Sequence, residues 1–399
     1  MEKVQLIFIK IGNLINFIIT SLIIKILHLK QREIIPKTSL LIRLDSIGDY
    51  ILVQNFFSFF RNHPVYQDYK VTLCGNIIWK DLAEYLNEDI FDSFIWINRK
   101  KFRWNFFYKY SLLKQIFKAG YETVIETTFT REILFGDTIV KASKAKERIG
   151  STGSPDSHLK WKRKIFSDDY YTKLITQSEK NIFEFYRNKE FFEKVLKIKI
   201  DITKPSMNFE KVEYKFPVEN EFIVIVPGAQ EKARRWSEKN FKQLIEHLLK
   251  EYHYDILLAG STSEKIIIKK IIDRINSQRV FDISGKTTLT QFGKIISKAK
   301  LLISNETSAV HFAAAVNIPF ICISNGQRFG RFMPYPNDMK VFGKFIFPTV
   351  IENHLNDRQY LERNFRFNSN LDINEISLDR LKNEINKFII SNLKGINNV

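Results

Sequence analysis

A chain of 399 residues is longer than one hydrophobic core usually organises, and 44% apolar with 27% charged residues argues against a disordered or fibrous protein. The two cysteines lie far apart in apolar runs and the seven histidines are scattered, which argues against a disulfide framework and a metal site. The net charge of +18 predicts attraction to polyanions such as nucleic acid, anionic lipid or phosphorylated glycans.

The N-terminal segment, residues 1–34, is apolar and basic. Residues 11–24 form a run of fourteen uncharged residues, shorter than the roughly 20 that a membrane-spanning helix needs. No small-residue cleavage site follows, which argues against a signal peptide. Because lysines flank the run, we predict an amphipathic helix that contacts a membrane surface. An ordinary helix packed on the domain and a spanning helix are the two alternatives.

Strands and helices alternate from residue 39 onward, a pattern typical of parallel sheets with crossover helices. Strands are predicted at residues 40–44, 69–75, 93–97 and 122–127, and helices at residues 50–60, 79–86 and 99–118. A polar, basic stretch at residues 149–173 interrupts the pattern, and a helical segment then leads to a linker that contains Pro205. We assign residues 35–210 to a first Rossmann-like domain.

A second alternating series begins at Phe222. Its predicted strands are residues 222–226, 254–260, 280–284, 301–304 and 319–324, with helices between them. We assign residues 211–375 to a second Rossmann-like domain and residues 376–399 to a helix that packs back on the domains. The fold class is therefore α/β, with two doubly wound domains facing across a cleft and ligands beyond the carboxyl ends of the strands.

A strand–turn–helix junction in the first domain carries two carboxylates, Asp45 and Asp49, on either side of a turn with Gly48. A carboxylate there repels phosphate but can serve as a base toward a hydroxyl group. Asp45 is interpreted as structural, tying the turn to Arg43 or to backbone N–H groups.

The loop after the first strand of the second domain reads PGAQEKARRW and is strongly basic. Gly228 allows close backbone approach, and Arg234 and Arg235 can clamp phosphate oxygens. Ser237 is predicted to cap the next helix. A solvated basic loop without a ligand is the alternative.

Two further glycine turns follow strands of the second domain. Gly260, Ser261 and Thr262 could meet a ribose or a base, with capping of the following helix by Ser263 as the alternative. Gly285, Lys286 and Thr287 repeat this arrangement. The recurrence of such loops at successive strand ends predicts a nucleotide-diphosphate pocket in the second domain.

The segment LLISNETSAVHFAAAVNIPF leads from a strand through polar residues into a helix of small residues. The helix start at Ser308 offers free N–H groups and a partial positive charge, which suit an anion. Glu306 could accept hydrogen bonds from sugar hydroxyls. His311 could reach a phosphate or could merely cap and pack.

Four motifs, RLDSIGDYIL, VPGAQEKARRW, DISGKTTL and SNETSAVHFAAAVNIP, resemble in order and spacing those of the ADP-heptose:lipopolysaccharide heptosyltransferases, glycosyltransferase family 9. The resemblance covers nearly the whole chain from about residue 39. It implies the GT-B fold of two Rossmann-like domains, with the donor in the C-terminal one. It also implies inverting sugar transfer without a required metal or cofactor, and a nucleotide-diphosphate sugar such as ADP-heptose as co-substrate.

Carried over by position, the resemblance implies that Asp49 is the general base. It implies an acceptor side at Ser46, Gly48, Arg131 and Arg148, and donor-binding residues at Gly228, Gln230, Arg234, Arg235, Gly260, Thr262, Lys286, Thr287, Glu306, Thr307, Ser308 and His311. The family's lysine before the final basic pair falls on Arg234, and two donor-contacting threonines fall on Ala229 and Gln230. The family's DTG falls on Glu306, Thr307 and Ser308. These departures lie where the donor would bind, so the donor sugar stays open.

The segment at residues 99–118 has seven basic residues, seven aromatic residues and no acid. In an acceptor domain it fits a phosphorylated glycolipid at a membrane surface, and a half-buried basic helix is the alternative. We therefore expect a cytoplasmic enzyme, peripheral on the inner membrane, that glycosylates a lipopolysaccharide-type glycolipid. One alternative is another donor sugar for capsule or another surface glycan. The other is a non-catalytic polyanion-binding protein, although RNA-binding motifs are absent and we expect no nucleic-acid partner.

Overall fold

The computed structural model describes residues 2–154, 160–273 and 275–392. The chain forms two compact units. The first, the N-unit, comprises Met1–Lys180 and Tyr186–Asp201, and the second, the C-unit, comprises Asn181–Phe185 and Ile202–Val399. The chain thus changes unit near residues 180–202, before the predicted domain boundary at residue 210.

The N-unit is built on a six-stranded sheet with helices between its strands. Its strands are β1 Ile35–Arg43, β2 Lys70–Asn76, β3 Ser93–Ile97, β4 Tyr121–Glu126, β5 Glu147–Ser151 and β6 Lys173–Ile175. Its helices are α1 Glu2–His28, α2 Ile47–Ile51, α3 Phe56–Arg61, α4 Lys80–Leu86, α5 Arg99–Trp104, α6 Phe106–Lys118, α7 Gly136–Ser143, α8 Lys160–Phe166 and α9 Glu184–Leu196. All pairs are parallel, in the order β3-β2-β1-β4-β5-β6.

The C-unit repeats this architecture. Its strands are β7 Phe222–Val226, β8 Asp255–Leu258, β9 Val280–Asp282, β10 Leu301–Asn305, β11 Phe320–Ile323 and β12 Gly343–Ile346. Its helices are α10 Glu238–Glu251, α11 Lys265–Ile272, α12 Leu289–Lys298, α13 Ser308–Ala315, α14 Thr349–Glu352, α15 Arg358–Phe365 and α16 Leu378–Asn392. The parallel order is β12-β11-β10-β7-β8-β9, and α16 packs Leu381, Ile385 and Ile389 into the core of this unit.

Each sheet has one point where the strand order reverses. In the N-unit this point lies between β1 and β4, and in the C-unit it lies between β7 and β10. The central strands β7 and β10 are buried along their whole length, as expected for parallel strands covered by helices on both faces. The predicted α/β class with two doubly wound, Rossmann-like units is confirmed.

Three details differ from the prediction. The predicted helix over residues 50–60 is two short helices, α2 and α3, and the break between them at residues 52–55 includes Gln54 and Asn55, which interrupt the apolar run. The stretch at 149–173, predicted to interrupt the sheet, contains the last three residues of β5 and ends at Lys173, the first residue of β6. Strand β12 was not predicted. These three strands have three to five residues and mixed polarity, so they carry no hydrophobic run.

The predicted N-terminal apolar helix is present and is longer than the uncharged run. Helix α1 has 27 residues, and its segment Ile11–His28 is long and apolar enough to cross a membrane by length and composition. One side of α1 packs on the N-unit, where Ile23, Ile24 and Leu27 join the core. The helix is therefore an integral part of this unit.

Candidate active site

Most of the predicted donor residues lie at the carboxyl edge of the C-unit sheet. The loops after β11, β10, β7, β8 and β9 are neighbours there, in this order. The reversal between β10 and β7 is the position at which doubly wound sheets bind their ligands. The loop with Arg234 follows β7, and the segment from Glu306 to Ser308 follows β10. These two predicted motifs therefore flank the reversal point.

Two asparagines that the prediction did not include as site residues fix the basic loop. The Asn305 side chain accepts a hydrogen bond from the Trp236 backbone N–H at 3.2 Å and donates to the Pro227 carbonyl at 2.7 Å. Asn325, after β11, donates to the Ala233 carbonyl at 3.2 Å. Both asparagines are buried. The loop is thus held from the ends of two neighbouring strands, which presets its shape for a ligand.

Arg234 contacts a buried carboxyl group. Its guanidinium lies 3.8 Å from Oε1 of Glu306 and 3.4 Å from Oε1 of Glu231. The Ser324 hydroxyl donates a hydrogen bond to the other oxygen of Glu306. Burial raises the pKa of Glu306, and the Ser324 bond and the Arg234 charge oppose this shift. Glu306, expected to meet sugar hydroxyls, therefore orients Arg234 and joins the loops after β7, β10 and β11.

The two other predicted cations of this edge donate to backbone carbonyls. Arg235 turns back on its own loop, with Nε 2.6 Å from the Ala229 carbonyl oxygen. Lys286 Nζ lies 2.6 Å from the Asp282 carbonyl oxygen. Gln230 is exposed at the loop surface and Thr287 is partly exposed. These contacts stabilise the two loops while leaving their outer surfaces accessible.

The start of α13 is an anion-binding geometry. Thr307 is the N-cap, and its side chain accepts a hydrogen bond from the Ala309 backbone N–H at 3.2 Å. Ser308 opens the helix and is partly exposed, while residues 309–315 are buried against β10 and β11. The helix dipole places a partial positive charge at this end. It lies on the same loop as Glu306, the partner of Arg234.

The glycine turns approach one another closely. A Cβ on Gly228 would lie 1.9 Å from Oε1 of Glu264, and a Cβ on Gly285, whose φ is +65°, would lie 2.8 Å from Oγ1 of Thr262. The Gly285 N–H also donates to the Gly260 carbonyl at 2.9 Å. The structure thus brings together the loops after β7, β8 and β9, and a side chain at Gly228 or Gly285 would force Glu264 or Thr262 to shift.

The cap after β8 is Ser261, so the alternative of capping by Ser263 is wrong. Ser261 donates its backbone N–H and its hydroxyl to Oε2 of Glu264, both at 2.7 Å, and Ser263 bonds only to the Ser261 hydroxyl. This capping box positions the Glu264 carboxylate beside Gly228 and Gly260. A carboxylate repels phosphate and accepts hydrogen bonds from hydroxyls, so this position suits a ribose.

His311 packs inside the C-unit. Its Nδ1 lies 2.8 Å from the Tyr335 hydroxyl, and burial lowers the pKa of His311 to about 3. The imidazole is therefore neutral at physiological pH. This placement matches the packing alternative and supplies no positive charge to a phosphate.

Asp49 lies at the reversal point of the N-unit sheet, in the first turn of α2. Ser46 donates its backbone N–H at 3.3 Å and its hydroxyl to Oδ2 of Asp49. Asp49 and Gly48 are partly exposed and Ser46 is exposed. The carboxylate is thus oriented by the turn and accessible to a substrate, as a general base must be.

Asp45 is structural, and the predicted tie to Arg43 is confirmed. Arg43 Nε lies 2.7 Å from Oδ2 of Asp45, and the Arg43 side chain is fully buried. The backbone carbonyl of Asp45 accepts hydrogen bonds from Asn76 Nδ2 and Trp79 Nε1, both at 3.1 Å. This network makes the turn that carries Asp49 rigid.

The two arginines expected on the acceptor side have internal partners. Arg131 is buried, contacts Asp137 and Asp168, and lies 4.4 Å from the centroid of the Tyr171 ring. Arg148 Nε donates to the Tyr170 carbonyl at 2.5 Å. The structure gives both guanidinium groups roles in closing the β5–β6 side of the unit, and it does not expose Arg131 to an acceptor. A sequence does not distinguish a buried, paired arginine from a binding one.

The family model of glycosyltransferase family 9 (heptosyltransferase) matches residues 110–359, which is more than half of the chain. The chain belongs to glycosyltransferase family 9. A lipopolysaccharide heptosyltransferase 3 of Escherichia coli is 26% identical over 122 residues, 30% of this chain and 36% of that relative. The matched segment is thus about a third of the length of this curated relative.

Solved structures of a family 9 glycosyltransferase and of a heptosyltransferase share the fold over most of this chain. A family 9 glycosyltransferase from Veillonella parvula has a TM-score of 0.65 at 12% identity, covering 89% of this chain and 98% of that one. The E. coli heptosyltransferase WaaC with ADP-2-deoxy-2-fluoro heptose has a TM-score of 0.64 at 14% identity, covering 88% and 99%. At these identities the similarity establishes the fold.

In this family 9 chain, the described residues contain no group of three or more His, Cys, Asp or Glu side chains placed to hold a metal ion. Metal independence therefore stays a prediction. The turn with Asp49 in the N-unit and the basic and glycine loops of the C-unit are therefore candidate functional sites, one in each unit.

Proposed function

We propose that this protein is an inverting glycosyltransferase that moves a heptose or related sugar from a nucleotide-diphosphate sugar to a lipopolysaccharide-core-type glycolipid. The observation that carries the proposal is the pairing of Arg234 with the Glu306 loop at the reversal point of the C-unit sheet. Family membership supports it, as does the similar fold of the E. coli heptosyltransferase WaaC, whose structure contains ADP-2-deoxy-2-fluoro heptose.

In the proposed reaction, Asp49 accepts the proton of an acceptor hydroxyl while its oxygen attacks the anomeric carbon of the donor. The bond from that carbon to the diphosphate breaks, and the electron pair leaves with the diphosphate. Arg234 and the start of α13 at Ser308 stabilise the charge that develops there. Glu264 receives the ribose hydroxyls, and no step requires a metal.

ADP-heptose is the donor we propose first. The replacement of the family's two donor-contacting threonines by Ala229 and Gln230 favours a second candidate, the same chemistry with another nucleotide sugar for capsule or another surface glycan. The acceptor is proposed to be an anionic glycolipid at the cytoplasmic face of the inner membrane, which fits the net charge of +18.

The test is calorimetric binding of a panel of nucleotide sugars, followed by a transfer assay with the donor that binds. Asp49→Asn keeps the size of the side chain and should retain donor affinity while kcat falls by about 10²–10⁴-fold. Asp89→Asn, an exposed position of the same unit, is the matched control. Failure of every nucleotide sugar to bind would refute the proposal, and unchanged kcat in Asp49→Asn would remove Asp49 from it.

A further inference from the structure

Helix α1 presents an apolar face to solvent. Its outward residues recur every three or four positions and are each 50–60% exposed: Ile11, Leu14, Ile15, Ile18, Leu22 and Ile26. Residues at this spacing share one face of a helix. Leu29, just beyond the helix, is 85% exposed and continues the row. A helix on a water-exposed surface normally directs polar residues to the solvent and apolar residues to the core.

The inward face of α1 contains two polar residues besides its core residues Ile23, Ile24 and Leu27. Asn16 and Thr20 are buried, and Asn16 Nδ2 donates to the Arg103 carbonyl at 2.9 Å. Lys109 of α6 is also buried, donates to the Asn16 side chain and lies 2.9 Å from the Thr20 hydroxyl. Burial lowers the pKa of Lys109 to about 8. These hydrogen bonds fix the rotation of α1, so its apolar face points outward by construction.

Two neighbouring segments extend the apolar face. The Trp104 ring lies against Gly12, where a Cβ would be 3.4 Å from it, and Phe166 of α8 contacts Phe17 edge to face at 5.6 Å between centroids. At about 100° per residue, Gly12 and Phe17 lie roughly 140° apart and therefore on opposite flanks of the helix. These two segments also contain four large apolar side chains that are each more than half exposed to solvent: Trp104, Phe107, Trp161 and Ile165.

All charged residues of α1 from residue 11 onward and of its two neighbouring segments are cations. Residues 11–32, 99–118 and 160–166 contain three, seven and four Lys or Arg residues and no Asp or Glu. Cations beside exposed aromatic and aliphatic residues fit the headgroup region of an anionic bilayer. A second copy of the chain would place like charges against each other, which opposes self-association through this surface.

We infer that the outer face of α1, the α5–α6 junction and α8 form one surface, the docking surface, that lies in the interface of an anionic lipid bilayer. The inference rests on the proposed function for its purpose, which is to bring the N-unit to a lipid-linked acceptor. In this inference α1 lies on the membrane and does not span it, because a spanning α1 would lose the hydrogen bonds of Asn16 and Thr20 with Lys109.

Flotation of the full chain with vesicles tests the inference. We expect binding to phosphatidylcholine vesicles with about 30 mol% phosphatidylglycerol, and binding at least about tenfold weaker to pure phosphatidylcholine or at high salt. Ile18→Glu/Leu22→Glu should reduce binding at least about tenfold, since it puts charge on the inserted face. Ile266→Glu, an equally apolar position of the C-unit that is 70% exposed, should bind like the wild type.

Several outcomes would overturn the inference. They are absence of binding to any vesicle, equal binding by the double variant, and a concentration-dependent dimer that the double variant abolishes without vesicle binding. Resistance to alkaline carbonate extraction from membranes would show a spanning helix instead. A cooperative urea transition of each variant verifies its fold. Donor binding measured on the same samples separates the two proposals: vesicle binding without nucleotide-sugar binding refutes the function alone, and the reverse refutes the docking surface alone.

Discussion

Removal of the Arg234 charge should destabilise the C-unit in a pH-dependent way. The guanidinium lies 3.8 Å from the buried Glu306 carboxyl group. Coulomb's law at an effective dielectric constant of about 20 gives roughly 4 kcal/mol for unit charges at such a distance. Because the Arg234 side chain is 20% exposed, solvent screening reduces this, and we expect Arg234→Ala to cost about 2 kcal/mol at pH 8.

The sign of the pH dependence follows from Glu306. Burial already raises its pKa, and losing Arg234 removes one of the charges that oppose the shift. The variant therefore binds a proton more tightly when folded, and acid relieves the cost of its unpaired charge. At pH 5 the loss of stability should fall to less than about half of its value at pH 8. Adding Glu306→Gln should restore most of the loss at pH 8, because no buried charge remains.

Urea denaturation at the two pH values measures this, with the fluorescence of Trp236 as reporter, since the other four tryptophans lie in the N-unit. A Trp236→Phe protein identifies the transition of the C-unit. Lys232→Ala, which removes an exposed cation from the same loop, is the control and should cost less than about 0.5 kcal/mol. An equal loss at both pH values, or no rescue by Glu306→Gln, would refute the reasoning.

Three other predictions concern the two units. Gly228→Ala should weaken donor binding and cost about 1–3 kcal/mol, measured by calorimetry and urea denaturation, because its Cβ would displace Glu264; Gly12→Ala, with an ordinary contact at 3.4 Å, is the control. Asn305→Ala should cost about 1–3 kcal/mol and lower donor affinity, since it leaves the Trp236 N–H and the Pro227 carbonyl without a side-chain partner; unchanged affinity would contradict this. Burial raises the pKa of Glu126 to about 8. The stabilising contribution of the protonated Glu126 is therefore complete below about pH 4.5 and is lost as the pH rises through 8. Between pH 6 and pH 9, the stability of the N-unit, measured by urea denaturation, should decline less in Glu126→Gln than in the wild type.

Sequence patterns predicted the central strands and the loops that follow them, because strands buried on both faces are continuous apolar runs. They also located Arg234 and the start of α13, which lie directly after such strands. Asn305 and Asn325 were not predicted as site residues, since their value depends on which strands are neighbours. The same applies to Arg131: its two carboxylate partners come from α7 and from the segment after α8, and no local pattern reveals that pairing.

Because α1 is apolar on its outward as well as its inward face, it has a practical consequence for producing the protein in soluble form. Deleting residues 2–28 would remove the exposed apolar face of the helix, but it would also take Ile23, Ile24 and Leu27 out of the core cluster that they share with Leu113, Ile116 and Phe117. It would leave the Lys109 ammonium without Asn16 and Thr20. The shortened chain would thus expose one apolar surface in place of another. Polar substitutions along the outer row alone would improve solubility while preserving the N-unit.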